Sequence, residues 1–392
     1  MPILKDDQIR ALLTAEQIEA LTIDTSIFDQ KRLQLNSPPL QALSALKERP
    51  LSFILSSTVA KEVTGHLEKA LEEAIRAAKK GIGEALFAFG TEKPTRDELI
   101  EQISGGQSTA EAANERFNTF LKETSCEVLD DTKLVDMSAL FEEYFASRPP
   151  FGPGKKKNEF PDALALLALE RAAADRDIGI MVVSKDGDWR AFCAKSERLY
   201  LVPEIEKALD LVNNAPSGLR KAVVSWMTEG GAGHEEVREH IAKNVELIEF
   251  TVLGYPTWGE LEASSWGAEL KTLEWPDPSD IDIIETELVS DGGIIKVVVS
   301  LPLQFTTQVS IELSFSIWDS VDKESVNVSS RSIEVNEEIS GRLTMTVSVY
   351  EQGTEREEII YEDSDLDIRD HEVDLGEIDV FEDDESWDGI EN

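Results

Sequence analysis

IGIMVVSKDGDW, residues 178–189, is the stretch that decides the fold of the first half of this chain. Its opening residues are apolar without interruption, a pattern typical of a parallel strand that is covered on both faces. Asp186 follows this strand directly, and Asp188 and Trp189 come just after it. A carboxylate beside a core strand must be solvated, paired or bound to a metal ion, because an unpaired buried charge is costly. The stretch therefore predicts a buried strand with an acidic site at its carboxyl end.

Three other segments repeat this arrangement of an acid beside an apolar element. They place Asp24 after the strand LTID, Glu62 in the helix after the strand LSFILSS, and Asp162, with Glu159 nearby, at the start of an Ala/Leu-rich helix. Strands and helices alternate through this region, which predicts an α/β three-layer domain with a parallel sheet. Ligands of such sheets gather beyond the carboxyl ends of the strands, so we expect all four segments on one rim.

Carboxylates that converge on one point favour a cation between them. Two unit charges about 4 Å apart repel by about 4 kcal/mol at an effective dielectric constant of roughly 20. Oxygen ligands favour Mg²⁺ or Mn²⁺ over zinc, and such an ion suits the hydrolysis of a phosphodiester. The sequence thus predicts a site for Mg²⁺ or Mn²⁺ with four principal and two auxiliary ligands: Asp24, Glu62, Asp162 and Asp186, with Glu159 and Asp188.

Each of these acids taken alone has a simpler interpretation. Aspartate and glutamate make up 78 of the 392 residues, so many carboxylates stand at strand and helix ends by chance. Asp24 can cap a turn, Glu62 can favour a helix N-terminus, and Asp186 can form an Asp-Gly turn. The order and context of the four motifs together favour the site.

The four motifs together resemble the PIN-domain nucleases over about residues 20–205. The matching segments, in family order, are TIDTS (22–26), VAKEV (59–63), KKNEFPDALALLAL (156–169) and SKDGDW (184–189). The third and fourth are similar to those of a bacterial PIN-like subfamily and carry most of the resemblance. It implies a metal-dependent endonuclease, acting more often on RNA than on DNA, with Asp24, Glu62, Asp162 and Asp186 as catalytic residues. It also implies a role such as that of a toxin or an antiphage defence protein.

Basic residues flank the two most specific motifs. Arg148, Lys155, Lys156 and Lys157 precede Asp162, and Lys185 and Arg190 lie beside Asp186. They are candidates for contacts with substrate phosphates, although solvated loop charges are the simpler interpretation of any one of them. Trp189 is a candidate for stacking on a base or, alternatively, for packing a helix onto the sheet.

Charge divides the chain into two parts. The net charge is −40, of which residues 245–392 carry −31, with 38 acidic and 7 basic residues. This asymmetry predicts two domains and argues against nucleic-acid binding by bulk electrostatics. Alternating apolar and polar residues after 245 predict antiparallel strands. We expect a PIN-like nuclease domain at 1–212 with a helical insertion at about 66–122, a helical connector at 213–244, an acidic β-sandwich-like domain at 245–380 and a flexible acidic tail at 381–392.

Two further expectations concern the surroundings of the protein. The two cysteines, Cys126 and Cys193, are far apart, and no apolar run is long enough to span a bilayer, which predicts a cytoplasmic protein without a membrane partner. RNA, or DNA, is the expected substrate. The alternative is a catalytically inactive PIN-like interaction module whose acidic β domain binds a basic partner or mimics nucleic acid.

Overall fold

The protein, seen in a computed structural model, divides into two compact units, Met1–Asn214 and Ala215–Asn392. The structure describes residues 4–91, 93–148, 151, 159–248, 250–289, 294–319, 324–354, 356–368 and 372–380. Lys155, Lys156, Lys157 and the acidic tail at 381–392 lie outside the described residues. No described helix is long and apolar enough to cross a membrane.

A parallel sheet forms the centre of the first unit. Its strands are β1 Ile18–Ile23, β2 Ser52–Ser56, β3 Glu127–Leu129, β4 Gly179–Val183 and β5 Leu199–Val202. They lie in the order β3-β2-β1-β4-β5, and every neighbouring pair is parallel. All five residues of β4 are buried, as its uninterrupted apolar sequence predicts for a central strand covered on both faces.

Helices surround this sheet, which confirms the predicted α/β architecture. They are α1 Asp6–Thr14, α2 Thr25–Gln30, α3 Pro38–Gln41, α4 Ser57–Ala88, α5 Arg96–Ser104, α6 Thr109–Glu123, α7 Asp131–Leu134, α8 Met137–Phe145, α9 Phe160–Arg176, α10 Gly187–Cys193 and α11 Ile205–Asn213. Helix α9 buries a row of alanines and leucines because its Ala/Leu-rich sequence lets it approach the sheet closely. A leucine-rich 3₁₀ segment, Ala42–Glu48, leads into β2.

The region predicted as a helical insertion is partly integral to the core. Helix α4 runs without a break from the site end of β2 for 32 residues. Helix α6 returns alongside it and buries Phe117 and Phe120, whose rings lie 6.0 and 5.7 Å from the ring of Phe28. Phe120 also lies 6.3 Å from Phe53 of β2. Only the far end of α4 and the short helix α5 therefore project as an appendage.

The second unit is a separate antiparallel β domain, as the alternating pattern after residue 245 predicts. Its strands are β6 Thr251–Pro256, β7 Glu260–Glu274, β8 Asp282–Val289, β9 Ile294–Asp319, β10 Glu324–Tyr350, β11 Glu358–Ile368 and β12 Glu372–Ile378. The main sheet has the order β11-β10-β9-β7, with β8 also paired to β9. Strands β6 and β12 form a small parallel pair, which the alternation of apolar and polar residues does not predict.

Residues 213–244, expected as a connector, mostly belong to the second unit. They form α12 Ser217–Met227 and most of α13 His234–Glu246. The apolar faces of both helices join the core of the β domain through Leu219, Val223, Met227, Val237 and Ile241. The boundary between the units therefore lies at Asn214, ahead of α12, because these faces need the sheet to be buried.

Candidate active site

The topology brings Asp24 and Ser184 side by side. Asp24 follows β1, Ser184 follows β4, and the Asp24 N–H donates to the Val183 carbonyl over 3.0 Å. Strands β1 and β4 are neighbours, but the chain leaves β1 toward β2 on the other side. This is the switch point of the sheet, where an open crevice forms beyond the strand ends.

Asp24 is a buried carboxylate held by two hydroxyls. Its side chain is 5% exposed. The Ser26 hydroxyl donates to its Oδ2 over 2.5 Å, and the Ser184 hydroxyl donates to the same atom over 2.9 Å. Burial raises the pKa of Asp24 to about 6; the nearby charge of Asp162 adds to the rise, and the serine hydrogen bonds oppose it. A carboxylate in this setting costs free energy when it is ionised, and a cation beside it removes that cost.

Glu62 is joined to the same strand end through a threonine. The Thr25 hydroxyl donates to Glu62 Oε2 over 2.8 Å, which fixes the first turns of α4 against α2. One turn further along both helices, His66 Nδ1 lies 2.8 Å from Asp29 Oδ1. His66 therefore lies at the edge of the site, paired with a carboxylate.

Asp162, near the start of α9, is oriented by Trp189 of α10. The Trp189 indole Nε1–H donates to Asp162 Oδ1 over 2.8 Å. The indole is 1% exposed, so it is part of the core and does not stack on a base; its alternative role in packing is the one observed. Glu159 hydrogen-bonds Asp162, and this bond, followed by burial and by the charges of Asp162, Asp188 and Asp186, raises the pKa of Glu159.

Asp186 has a structural role as well as its place in the cluster. Its Oδ1 accepts the backbone N–H groups of Asp188 over 2.6 Å and Trp189 over 3.1 Å, which caps the N-terminus of α10. Asp186 is therefore a helix cap, where the sequence suggests an Asp-Gly turn. Its charge nevertheless lies close enough to raise the pKa of Glu159, so capping does not remove it from the cluster.

The acids fit a hard divalent cation in type and in charge, but they are not arranged as a ligand set. Among the residues that the structure describes, no group of three or more His, Cys, Asp and Glu side chains has the geometry to hold a metal ion. Serine hydroxyls, the indole N–H and backbone N–H groups bond to the carboxylates instead. The donors are all oxygens, and their mutual repulsion is what a cation relieves. The residues therefore fit Mg²⁺ or Mn²⁺ in chemistry.

Two of the three basic candidates that the structure describes are paired with acids. Arg148 Nε lies 2.9 Å from Glu143 Oε2, and Lys185 Nζ lies 3.1 Å from Glu204 Oε1. Arg190 is exposed on α10, and the lysines at 155–157 lie outside the described residues.

A buried acid that the motif order does not indicate supports the position of Glu62. Asp131, which is 0% exposed, accepts hydrogen bonds at the start of α4 from the Ser56 and Thr58 hydroxyls and from the Ser57 and Thr58 backbone N–H groups. It comes just after β3, the neighbour of β2 in the sheet. The sequence signal for Asp131 is an acid just after the strand β3, together with the Ser-Ser-Thr run at the end of the neighbouring strand β2.

Comparison with known proteins yields one finding for this region. The sequence model of the PIN-domain family, described as "PIN domain", matches residues 21–189. This range runs from β1 to Trp189 and contains all six predicted metal ligands. Comparisons with curated proteins and with solved structures found no match.

Proposed function

We propose that the protein is a Mg²⁺- or Mn²⁺-dependent endonuclease, because residues 21–189 match the PIN-domain family, whose members are generally metal-dependent nucleases. RNA is the proposed substrate in preference to DNA. A role in toxin or antiphage systems is part of the same proposal. The cytoplasm is the proposed compartment, because the chain has only two cysteines, one of them buried.

One observation carries the proposal: beside the switch point of the sheet, the charges of Asp162, Asp186 and Asp188 raise the pKa of neighbouring carboxyl groups. Asp24 lies after β1 and Asp162 near the start of α9, and the charge of Asp162 contributes to the raised pKa of Asp24. Glu159 experiences the charges of Asp162, Asp186 and Asp188. A protein that needed only stability would not maintain such repulsion, because uncharged side chains would fill the same space at lower free energy.

In the proposed site, Asp24, Glu62, Asp162 and Asp186 hold the ion, and Glu159 and Asp188 assist. A divalent ion there supplies Lewis-acid polarisation of the phosphodiester and activation of water. The remaining contributions come from this chain's own side chains. Ser26 and Ser184 fix Asp24, Thr25 fixes Glu62, and Trp189 fixes Asp162, so the carboxylates are oriented before the substrate arrives.

The test is cleavage of labelled RNA and DNA by the full chain with Mn²⁺, with Mg²⁺ and with EDTA. We expect cleavage with metal and none with EDTA. The Asp24→Asn substitution keeps the shape of the side chain but removes the charge, and it should lower the rate about a hundredfold or more. Asp162→Asn and Glu62→Gln should act in the same direction.

Asp175→Asn is the matched control. Asp175 lies on α9 as Asp162 does, but near the other end of the helix, where it pairs with Arg171. This variant should cleave as the wild type does. If Asp24→Asn cleaves as fast as the wild type, or if the wild type cleaves neither nucleic acid with either metal, the proposal is wrong. The second outcome would favour the inactive interaction module.

A further inference from the structure

Five aromatic rings form a cluster between α8 and α9, beside the acidic site. The contacts are close: Tyr144 and Phe151 lie 5.0 Å from Phe160 between ring centroids, and Phe141 lies 6.3 Å from it. Tyr144 also lies 5.3 Å from Phe151 and 5.4 Å from Phe145. The inner part of this cluster, with Leu140 and Ala163, is a small core that fixes α8 against α9.

The two outer rings of the cluster are in contact with solvent. Phe145 is 79% exposed and Phe141 is 45% exposed. They are four residues apart and so lie on one face of α8, with their rings stacked at 6.4 Å and an interplanar angle of 28°. Leu140 and Tyr144, which pack against α9, occupy the neighbouring face. Helix α8 thus presents a pair of nearly parallel phenyl rings, here called the phenyl shelf, on a base fixed by the inner rings.

The phenyl shelf contacts a residue that is next to the acidic site in the chain. Phe160, which contacts Phe141, is the first residue of α9 and stands between Glu159 and Asp162 in the chain. Consecutive Cα atoms are about 3.8 Å apart, so the backbone of Phe160 lies within about 8 Å of the backbones of Glu159 and Asp162. Arg148 follows α8, and its guanidinium is 54% exposed while its Nε pairs with Glu143. The exposed rings therefore connect through Phe160 to the carboxylates at the start of α9, and Arg148 comes three residues after Phe145.

We propose that Phe141 and Phe145 form a base-stacking subsite for unpaired nucleotides of a single-stranded substrate. This rests on the proposed nuclease function and adds to it a binding subsite on α8. Every base has a flat π face that stacks on an aromatic ring, so the subsite accepts any sequence. Bases inside a duplex are stacked on each other and do not offer their faces to the shelf. Arg148 contacts a phosphate of the same strand, since guanidinium groups suit phosphate oxygens.

Binding should be measured separately from cleavage, in the full chain carrying Asp24→Asn with Mg²⁺ present. The probes are a short fluorescein-labelled oligoribonucleotide of mixed sequence and the same strand annealed to its complement, followed by anisotropy. We expect the added pair Phe141→Leu and Phe145→Leu, which keeps apolar helix-forming side chains but removes the rings, to weaken single-strand binding about tenfold to a hundredfold. Duplex binding should not change, and Phe141→Tyr with Phe145→Tyr should restore single-strand binding.

Phe87→Leu with Phe89→Leu is the matched control. These rings are 89% and 83% exposed at the far end of α4, about 25 residues and so roughly 38 Å along the helix from Glu62. This pair should bind the single strand as the parent does. An equal loss in the control would mean that exposed phenyl groups act nonspecifically, and the proposal would be wrong.

The remaining outcomes separate this inference from the nuclease proposal. If the wild type cleaves single strands and the Phe141/Phe145 variant binds and cleaves as it does, the subsite is wrong and the nuclease proposal stands. If nothing is cleaved but the rings govern single-strand binding, the nuclease proposal is wrong and the subsite stands. If light scattering shows that the rings instead hold two copies of the chain together, the shelf is a protein interface and the subsite is wrong.

Discussion

At the scale of single residues, the acidic site combines strong positioning with mutual repulsion. Asp24 receives two hydroxyl hydrogen bonds that favour its charge, yet its pKa is raised to about 6 because burial outweighs them. In the absence of a cation, the ionised form of Asp24 is therefore unfavourable in this site. That property leads to a prediction about stability that does not depend on catalysis.

Without divalent ions, Asp24 should lower the stability of the native state as pH rises. Its pKa is higher in the folded protein, about 6, than in the unfolded chain, near 3.8, so the folded state holds the proton more tightly. Its contribution to stability is complete below pH 4 and is lost as pH rises through 6, by roughly 3 kcal/mol at 1.36 kcal/mol per pKa unit. Urea unfolding in EDTA between pH 4 and 8 measures this loss.

Asp24→Asn should remove that loss, so the variant should become more stable than the wild type as pH rises from 5 to 7. Adding Mg²⁺ should stabilise the wild type and have little effect on the variant, because a ligand that binds only the native state stabilises it. Parallel stability curves for the two proteins over this range would show that Asp24 does not carry the unfavourable charge.

Trp189 offers a test of positioning at the same scale. Trp189→Phe keeps an aromatic ring in the core but removes the N–H that donates to Asp162. Removing such a supporting hydrogen bond typically costs 10- to 100-fold in metal affinity or activity. We expect a loss of about that size in metal-dependent cleavage, partly recovered at high Mn²⁺ concentration. If Trp189 only packs the core, the loss of cleavage should not be recovered at high Mn²⁺ concentration.

At the scale of elements, the start of α4 depends on Asp131, an acid at the start of α7 just after β3. Ser56 caps α4 through its hydroxyl, and Asp131 binds both that hydroxyl and the N–H groups of the first turn. Helix N-termini have N–H groups without helical partners, and a buried carboxylate satisfies several of them at once. The position of Glu62 thus depends on Asp131, just after β3, as well as on α4 itself.

Asp131→Ala should therefore destabilise the first unit strongly. It leaves the hydroxyls and N–H groups at the start of α4 without their buried acceptor, and we expect a loss of about 3 kcal/mol in urea unfolding. Asp130→Asn is the control, because Asp130 is next in the chain but exposed. Equal stability of the two variants would show that the hydrogen bonds to Asp131 do not hold α4 in place.

At the scale of the whole molecule, the two units are built on separate cores. The boundary at Asn214 assigns α12 and α13 to the β domain, where Val223, Met227 and Ile241 are completely buried. A chain that ends after residue 244 keeps these helices without the sheet that covers them. An exposed apolar face of that kind promotes aggregation.

Truncation after Asn214 should therefore give a monodisperse folded protein, whereas truncation after Asn244 should aggregate. Size-exclusion chromatography with light scattering distinguishes the two. The shorter chain retains all six acids of the site and should keep the metal-dependent cleavage of the full protein. Equal solubility of the two fragments would show that α12 and α13 do not need the β domain.

Much of the first unit follows from its sequence because local patterns are consistent there. The apolar run at 178–184 and its acidic turn predict the central strand observed at Gly179–Val183, and the strands before it follow similar patterns. The helices at 217–227 and 234–246 were less predictable, because a short helix acquires its place only through packing against a distant partner. Local sequence patterns did not predict the parallel pairing of β6 with β12 for the same reason, because about 120 residues separate the two strands.

The sequence by itself determined that this protein has a parallel α/β half with acids at its strand and helix ends and a strongly acidic β half. Periodicity, charge and motif order are local properties, and they are readable without coordinates. Only the tertiary structure decided that Trp189 is a buried donor to Asp162, that Asp131 supports α4, and that Phe141 and Phe145 face solvent beside the site. These facts depend on which distant side chains meet, and that is set by packing of the whole domain.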